Sequence, residues 1–199
     1  MLRSRFASAL LGGTFAVLTL TLANRLEAQS ASVGNFEIRP YVGAYIPTGD
    51  QRDLFKDAIL AGAQGSYRFT PSIALTATVG WSPTEDRLTA GQETVDLWQY
   101  DIGAELRAPA WLQGESWDFS PFVGLGVGGR TYDYRDLDNV DAKTNFAGYG
   151  ALGGEFGFGQ FGLRIEGRDY LSRFEPLTGT GDAKTRNDVS VAAGLTIRF

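Results

Sequence analysis

The chain has 199 residues, of which 26 are Gly; 13% are aromatic and 21% charged, there is no Cys and no His, and the net charge is −5. For a chain of this length one domain is the default and two are possible. Without Cys there is no disulfide framework, thiolate metal site or lipid-modified cysteine. Without His there is no Ser–His or Cys–His catalytic pair and no imidazole-bound zinc. Nucleic acid is a poor partner, because it needs clustered positive charge. Gly stands at about twice its usual ~7% share. Each Gly weakens a helix by about 1 kcal/mol, so this composition suits closely approaching strands.

Residues 1–28 differ from the rest. Arg3 and Arg5 form a basic start, Phe6 to Ala23 carries no charge, and Ala28 ends a short polar stretch. Basic, apolar and small-residue regions in that order predict a secretory signal peptide, cleaved after Ala28 or after Ala23. The apolar run is at the lower limit for spanning a bilayer. Gly12, Gly13, Ser8 and several Thr weaken it further as a permanent anchor. The expected mature domain is 29–199. It is more acidic than the whole chain, because the signal removes Arg3, Arg5 and Arg25 but only Glu27.

Beyond the signal the sequence alternates with period two, the mark of a strand with two different faces. Eight such segments follow in chain order: 36–46, 58–69, 73–82, 96–107, 118–131, 145–158, 161–172 and 188–199. Segment 73–82 sets Ile73, Leu75, Ala77, Val79 and Trp81 against Ala74, Thr76, Thr78, Gly80 and Ser82. Segment 96–107 sets Trp98, Tyr100, Ile102, Ala104 and Leu106 against Gln99, Asp101, Gly103, Glu105 and Arg107. Segment 161–172 sets Phe161, Leu163, Ile165 and Leu171 against Arg164, Glu166, Arg168 and Tyr170. The last segment sets Val189, Val191, Ala193, Leu195, Ile197 and Phe199 against Ser190, Ala192, Gly194, Thr196 and Arg198.

Long polar connections (47–57, 83–95, 132–144 and 173–187) alternate with shorter ones (70–72, 108–117 and 159–160). An even number of strands joined in this way is the plan of an all-β, eight-stranded antiparallel up-and-down transmembrane β-barrel. A soluble sandwich or ligand-binding barrel also alternates, but its wet outer face should carry the charge. Here one face is almost purely apolar, with Asp169 the main exception, and the other is dense with charge. Arg at the lipid midplane would cost about 2–4 kcal/mol. The apolar-face aromatics also sort by position. Phe36, Phe69, Phe119, Phe158, Phe161 and Phe199 map to the short-turn end, and Trp81, Trp98 and Phe146 to the long-loop end. Two such belts mark membrane interfaces.

On these residues the chain resembles the small outer-membrane β-barrel proteins of Gram-negative-type bacteria, the OmpA/OmpX-like and opacity-like group. The resemblance covers 33–199. It rests most on the final strand, where Val191, Leu195, Ile197 and Phe199 resemble the signal read by the barrel-assembly machinery. The opening Arg39-Pro40-Tyr41-Val42-Gly43-Ala44-Tyr45-Ile46-Pro47-Thr48-Gly49 also looks like the first strand and loop of such barrels. The resemblance implies an outer-membrane location, periplasmic chaperones and contact with outer-membrane lipid and lipopolysaccharide. It does not imply one activity.

By parity Glu37, Arg39, Arg68, Asp101, Glu105, Arg107, Arg130, Glu155, Arg164, Glu166, Arg168 and Arg198 face inward. Eight strands leave a lumen that side chains just fill, and Arg and carboxylate can pair there bidentately. The expectation is a plug of ion pairs; the alternative is a gated, narrow ion path. Gly124, Gly126 and Gly129 fit G-x-G-x-x-G, but the strand continues and no helix follows, so no dinucleotide site is expected. These glycines instead leave room beside inward aromatics such as Phe122, Tyr132 or Tyr149. Asp133, Asp136, Asp138 and Asp141 in 132–144 do not match an EF-hand spacing. They read as a solvated acidic loop, with divalent bridging to lipopolysaccharide as the alternative.

No cofactor, metal or catalytic residue is expected, and G-x-S-x-G is absent. The expected protein is a monomeric outer-membrane barrel with four mobile surface loops and a structural or surface-interaction role. Two alternatives stay open: a narrow channel or carrier of small apolar molecules, as in OmpW-like relatives, and an adhesin acting through its loops.

Overall fold

The computed structural model describes residues 35–88, 91, 93–135, 141–174 and 184–199. The expected signal 1–28 and both of its cleavage sites lie outside the described residues. Nine strands follow in chain order: β1 (Phe36–Pro47), β2 (Ala58–Arg68), β3 (Ile73–Glu85), β4 (Thr94–Arg107), the two-residue β5 (Leu112–Gln113), β6 (Asp118–Tyr134), β7 (Lys143–Phe158), β8 (Phe161–Phe174) and β9 (Lys184–Arg198). All except β5 form the wall.

Sequential wall strands pair antiparallel. β1 also pairs with β9, which leaves no open edge between the first and last strands. On the other side β4 pairs directly with β6, from Val95↔Tyr134 to Arg107↔Phe122. The result is a closed eight-stranded antiparallel β-barrel. Closure satisfies every strand edge, which a sheet in lipid requires.

The alternation sorts side chains as a membrane barrel must. Leu125, Leu152, Ile102 and Ile165 on the outer face are all more than half exposed. Arg39, Arg130, Glu37 and Glu155 are among the largest fully buried side chains. At the short-turn end, Thr70 Oγ1 accepts hydrogen bonds from the Ser72 and Ile73 amides, at 3.3 and 3.0 Å. Gly159 enters the left-handed region at φ 60 to close the turn between Phe158 and Phe161. That conformation costs Gly little and an L side chain more. Phe36, Phe69, Phe158, Phe161 and Phe199 are exposed at this end, and Trp98 and Phe146 at the other.

Two expectations need correction. First, the strands run further at the long-loop end than the alternation predicts. β3 continues to Glu85, β4 starts at Thr94, β6 reaches Tyr134, β7 starts at Lys143, β8 reaches Phe174 and β9 starts at Lys184. These extensions carry polar residues on both faces, so period two fades although the backbone ladder persists. Asp96 lies on the outer side of β4, next to its extension. It accepts from the Trp81 indole at 2.8 Å and from Arg135 at 2.7 Å.

Second, the first long connection is not a free surface loop. Its 3-10 turn Gly49–Gln51 and the residues after it fold into the barrel mouth, where Gln51 and Phe55 are buried. Phe55 stacks on Tyr132 at 5.3 Å between ring centroids. Backbone bonds from Arg87 to Leu54 (2.7 Å) and from Lys56 to Glu85 (3.1 Å) pin the segment to the end of β3.

Candidate functional site

Among the described residues, titratable side chains gather in the lumen. Alternate residues of every wall strand point there, so each strand contributes a column and the columns meet at the axis. Ten of the twelve residues expected inside are buried; Arg68 and Glu166 are partly buried.

The lower lumen, toward the short turns, holds a continuous ion-pair network. Glu37 sits among Arg39, Arg68, Arg107 and Arg198, with the last three at 3.4 Å. Glu155 sits among Arg107 at 3.4 Å, Arg39 and Arg164 at 3.9 Å, and Arg198. Thr196 Oγ1 also donates to Glu155 at 2.8 Å. Glu105 takes Arg164 at 2.6 Å and Arg107 at 2.9 Å. Glu166 bridges Arg164 at 2.5 Å and Arg168, and Arg168 reaches Asp101 at 2.9 Å.

Aromatic faces take the remaining guanidinium surface. Arg164 lies 3.4 Å from the Phe122 centroid and Arg168 lies 4.6 Å from that of Tyr149. Removing one partner of such a pair strands a buried charge, which costs about 3–5 kcal/mol.

Higher in the lumen a second group forms around Arg130. It pairs with Asp188 at 2.5 Å and stacks on Tyr170 and Tyr45, at 4.5 and 5.3 Å. The Tyr170 hydroxyl donates to Asp101 at 2.9 Å, which ties this group to the lower network. Asp188 was not among the expected lumen residues, although Ser190 was placed inward and Asp188 shares its parity. Gln64 was also not singled out, and Gln99, placed on the inner face by its parity, was not counted in the network. Gln64 accepts from Arg39 at 2.6 Å and Gln99 from Arg130 at 3.3 Å. As uncharged polar residues they did not stand out in a search for charge.

Between the two groups lies a cavity of about 30 Å³, lined in part by Tyr41, Gln64, Gln99, Arg168 and Ser190. That is room for about two waters. Above Arg130 the lumen turns apolar. Tyr45, Phe55, Val95, Leu97, Tyr132 and Tyr134 pack as one buried cluster across the mouth.

The glycines of the G-x-G-x-x-G match lie within β6, with no helix after them. A methyl at Gly126 would lie 2.5 Å from Tyr149 Cε1, so Gly126 does make room for an inward ring. Gly129 does not. It faces outward, where a methyl would lie 2.6 Å from the Tyr100 ring. Of the acidic loop, Asp136 and Asp138 lie outside the described residues, and among the described residues no three metal-ligating side chains gather. Asp169 lies exposed on the outer face and accepts from Asn187.

No curated protein matches the chain. Several solved structures share its fold. Neisserial surface protein A is 14% identical with a TM-score of 0.58, over 85% of this chain and 100% of that one. The N-terminal barrel domain of Pseudomonas aeruginosa OprF is 12% identical with a TM-score of 0.51, over 84% and 100%. P. aeruginosa OprG is 16% identical with a TM-score of 0.51, over 84% and 97%. At such identities these likenesses speak to fold alone. The family model for the outer membrane protein β-barrel domain matches residues 14–199. An apolar outer wall, a charged lumen and that match lead to one conclusion: the chain belongs to the outer-membrane β-barrel protein family of bacteria.

Proposed function

We propose that this chain is a sealed, monomeric outer-membrane barrel with a structural or surface-interaction role and no catalytic activity. The observation that carries the reading is the filled lumen. A continuous ion-pair network closes its lower half and an apolar cluster closes its mouth. The absence of His and Cys removes the common nucleophile–base pairs from its chemistry. Its partners on this reading are outer-membrane lipid and lipopolysaccharide, periplasmic chaperones and the barrel-assembly machinery. Val191, Leu195 and Phe199, exposed along β9, with Ile197 between them, are the residues that the machinery would read. Planar-bilayer recording tests the reading. A sealed barrel leaves the current at baseline; stable unitary steps would overturn it.

A second reading, a carrier of small apolar molecules, is favoured by the mouth. Tyr45, Leu97 and Tyr132 make an apolar site that Phe55 fills from the first long connection. Equilibrium dialysis with a small aromatic probe tests it; binding that competes with Phe55 supports it. The adhesin alternative rests on connections whose tips, 136–140 and 175–183, lie outside the described residues.

A further inference from the structure

The connection between β4 and β6 stands apart from the other short turns. The chain leaves β4 at Arg107, passes Ala110 at φ 47, and re-pairs as a small hairpin in which Leu112 faces Phe119 and Gln113 faces Asp118. The Ala108 amide donates to Pro121 O at 2.9 Å and the Gly114 amide to Trp117 O at 2.8 Å. The Ala110 amide donates to Ser120 Oγ at 3.0 Å. These bonds make the connection a fixed extension of the wall.

Its side chains are strongly amphipathic. Trp111 is 58% exposed, Leu112 55% and Trp117 40%. The Trp117 ring lies 6.4 Å from Phe156, and the Phe119 ring lies 4.7 Å from it. Leu112, Trp117, Phe119 and Phe156 therefore form one apolar platform, while Gln113, Glu115 and Ser116 are exposed at the tip. A patch of this kind has an occupant. The platform continues without a break into the outer face of β6 and β7, where Leu125 and Leu152 face lipid. Trp, with an apolar ring and one N–H, favours the water boundary of a bilayer. Short turns of such barrels lie on the periplasmic side.

We propose that hairpin 111–119 is an interfacial anchor seated at the headgroup–acyl boundary of the inner leaflet. Phospholipid covers Leu112, Trp117, Phe119 and Phe156. The aromatic belt thus reaches beyond the eight wall strands on one side of the barrel and fixes the depth of that side in the membrane.

Tryptophan quenching tests this. Trp81→Phe with Trp98→Phe leaves Trp111 and Trp117 as the only indoles. The barrel is refolded into phosphatidylethanolamine/phosphatidylglycerol vesicles whose acyl chains are brominated either near the headgroup or near the methyl end. The expected result is blue-shifted emission, quenched about twofold more strongly by the shallow bromines. Adding Trp117→Ser and Leu112→Ser should shift the remaining Trp111 emission toward that of water, while heat-modifiable gel migration shows that the barrel is still folded. Water-like emission without bromine quenching in the parent would overturn the proposal. So would blue emission that dilution into more lipid reverses, since a second copy would then be the occupant.

Discussion

Glu37 and Glu155 hold the same three arginines. Arg39, Arg107 and Arg198 each contact both carboxylates, although β1 and β7 are not neighbours in the wall. The two acids thus link strands across the lumen, where no backbone ladder reaches. Losing either leaves Arg198 with one carboxylate, while Arg39 and Arg107 keep the other and Glu105. Losing both leaves Arg198 with neither. Each of Glu37→Gln and Glu155→Gln should cost about 3–5 kcal/mol. The double variant should exceed the sum of the two by about 0.5–3 kcal/mol. Denaturant unfolding of the barrel in lipid vesicles reads this directly. Strict additivity would mean that the two acids act separately.

Phe55 closes the mouth above an intact ion-pair network, so the two seals are separable. Phe55→Ala should cost about 3 kcal/mol, the low end for such a truncation, because the site borders water. Amides across 49–57 should then exchange faster. Bilayer current should stay at baseline, since Arg130–Asp188 and the network below it are untouched. A rise in current would show that Phe55 alone seals the barrel.

The wall and most of the lumen were legible because one physical rule governs both. In a strand crossing lipid, successive side chains alternate between lipid and lumen. Arg164, Glu166 and Arg168 could therefore be placed inside from spacing alone. Asp188 escaped because it was the first residue of the expected segment 188–199, whereas β9 starts four residues earlier, at Lys184. The packing of Gln51 and Phe55 had no periodic signal at all. It depends on a partner, Tyr132, that lies 77 positions from Phe55 in the chain and becomes a neighbour only when the barrel closes. Trp111, Leu112 and Trp117 were read as part of a plain connection, because a two-residue ladder is too short to alternate visibly.

Gly103 is required by a ring, not by a turn. A side chain there would run into the Tyr149 hydroxyl and into Leu125 O of the neighbouring strand. Gly103→Val should destabilise the barrel by about 1–3 kcal/mol through overpacking. Tyr149→Ala should recover part of that loss, since the ring can yield and the backbone cannot. Refolded yield and unfolding midpoint, measured for both single variants and the double, check the coupling. No recovery would assign the whole effect to the backbone contact.

The outer wall makes a depth-dependent prediction. Leu152 is in mid-strand on β7 and 68% exposed, and Phe158 ends the same strand on the same face, in the belt of the short-turn end. A guanidinium at Leu152 has no lumen partner and no water within reach. Leu152→Arg should therefore cost about 2–4 kcal/mol. Phe158→Arg can place its charge among headgroups, so its charge penalty should be about 0–1 kcal/mol, and the rest of its effect reflects the lost ring. Equilibrium unfolding of the two variants in vesicles of one lipid composition measures the difference. Equal costs at the two sites would contradict the placement of the bilayer centre at Leu152.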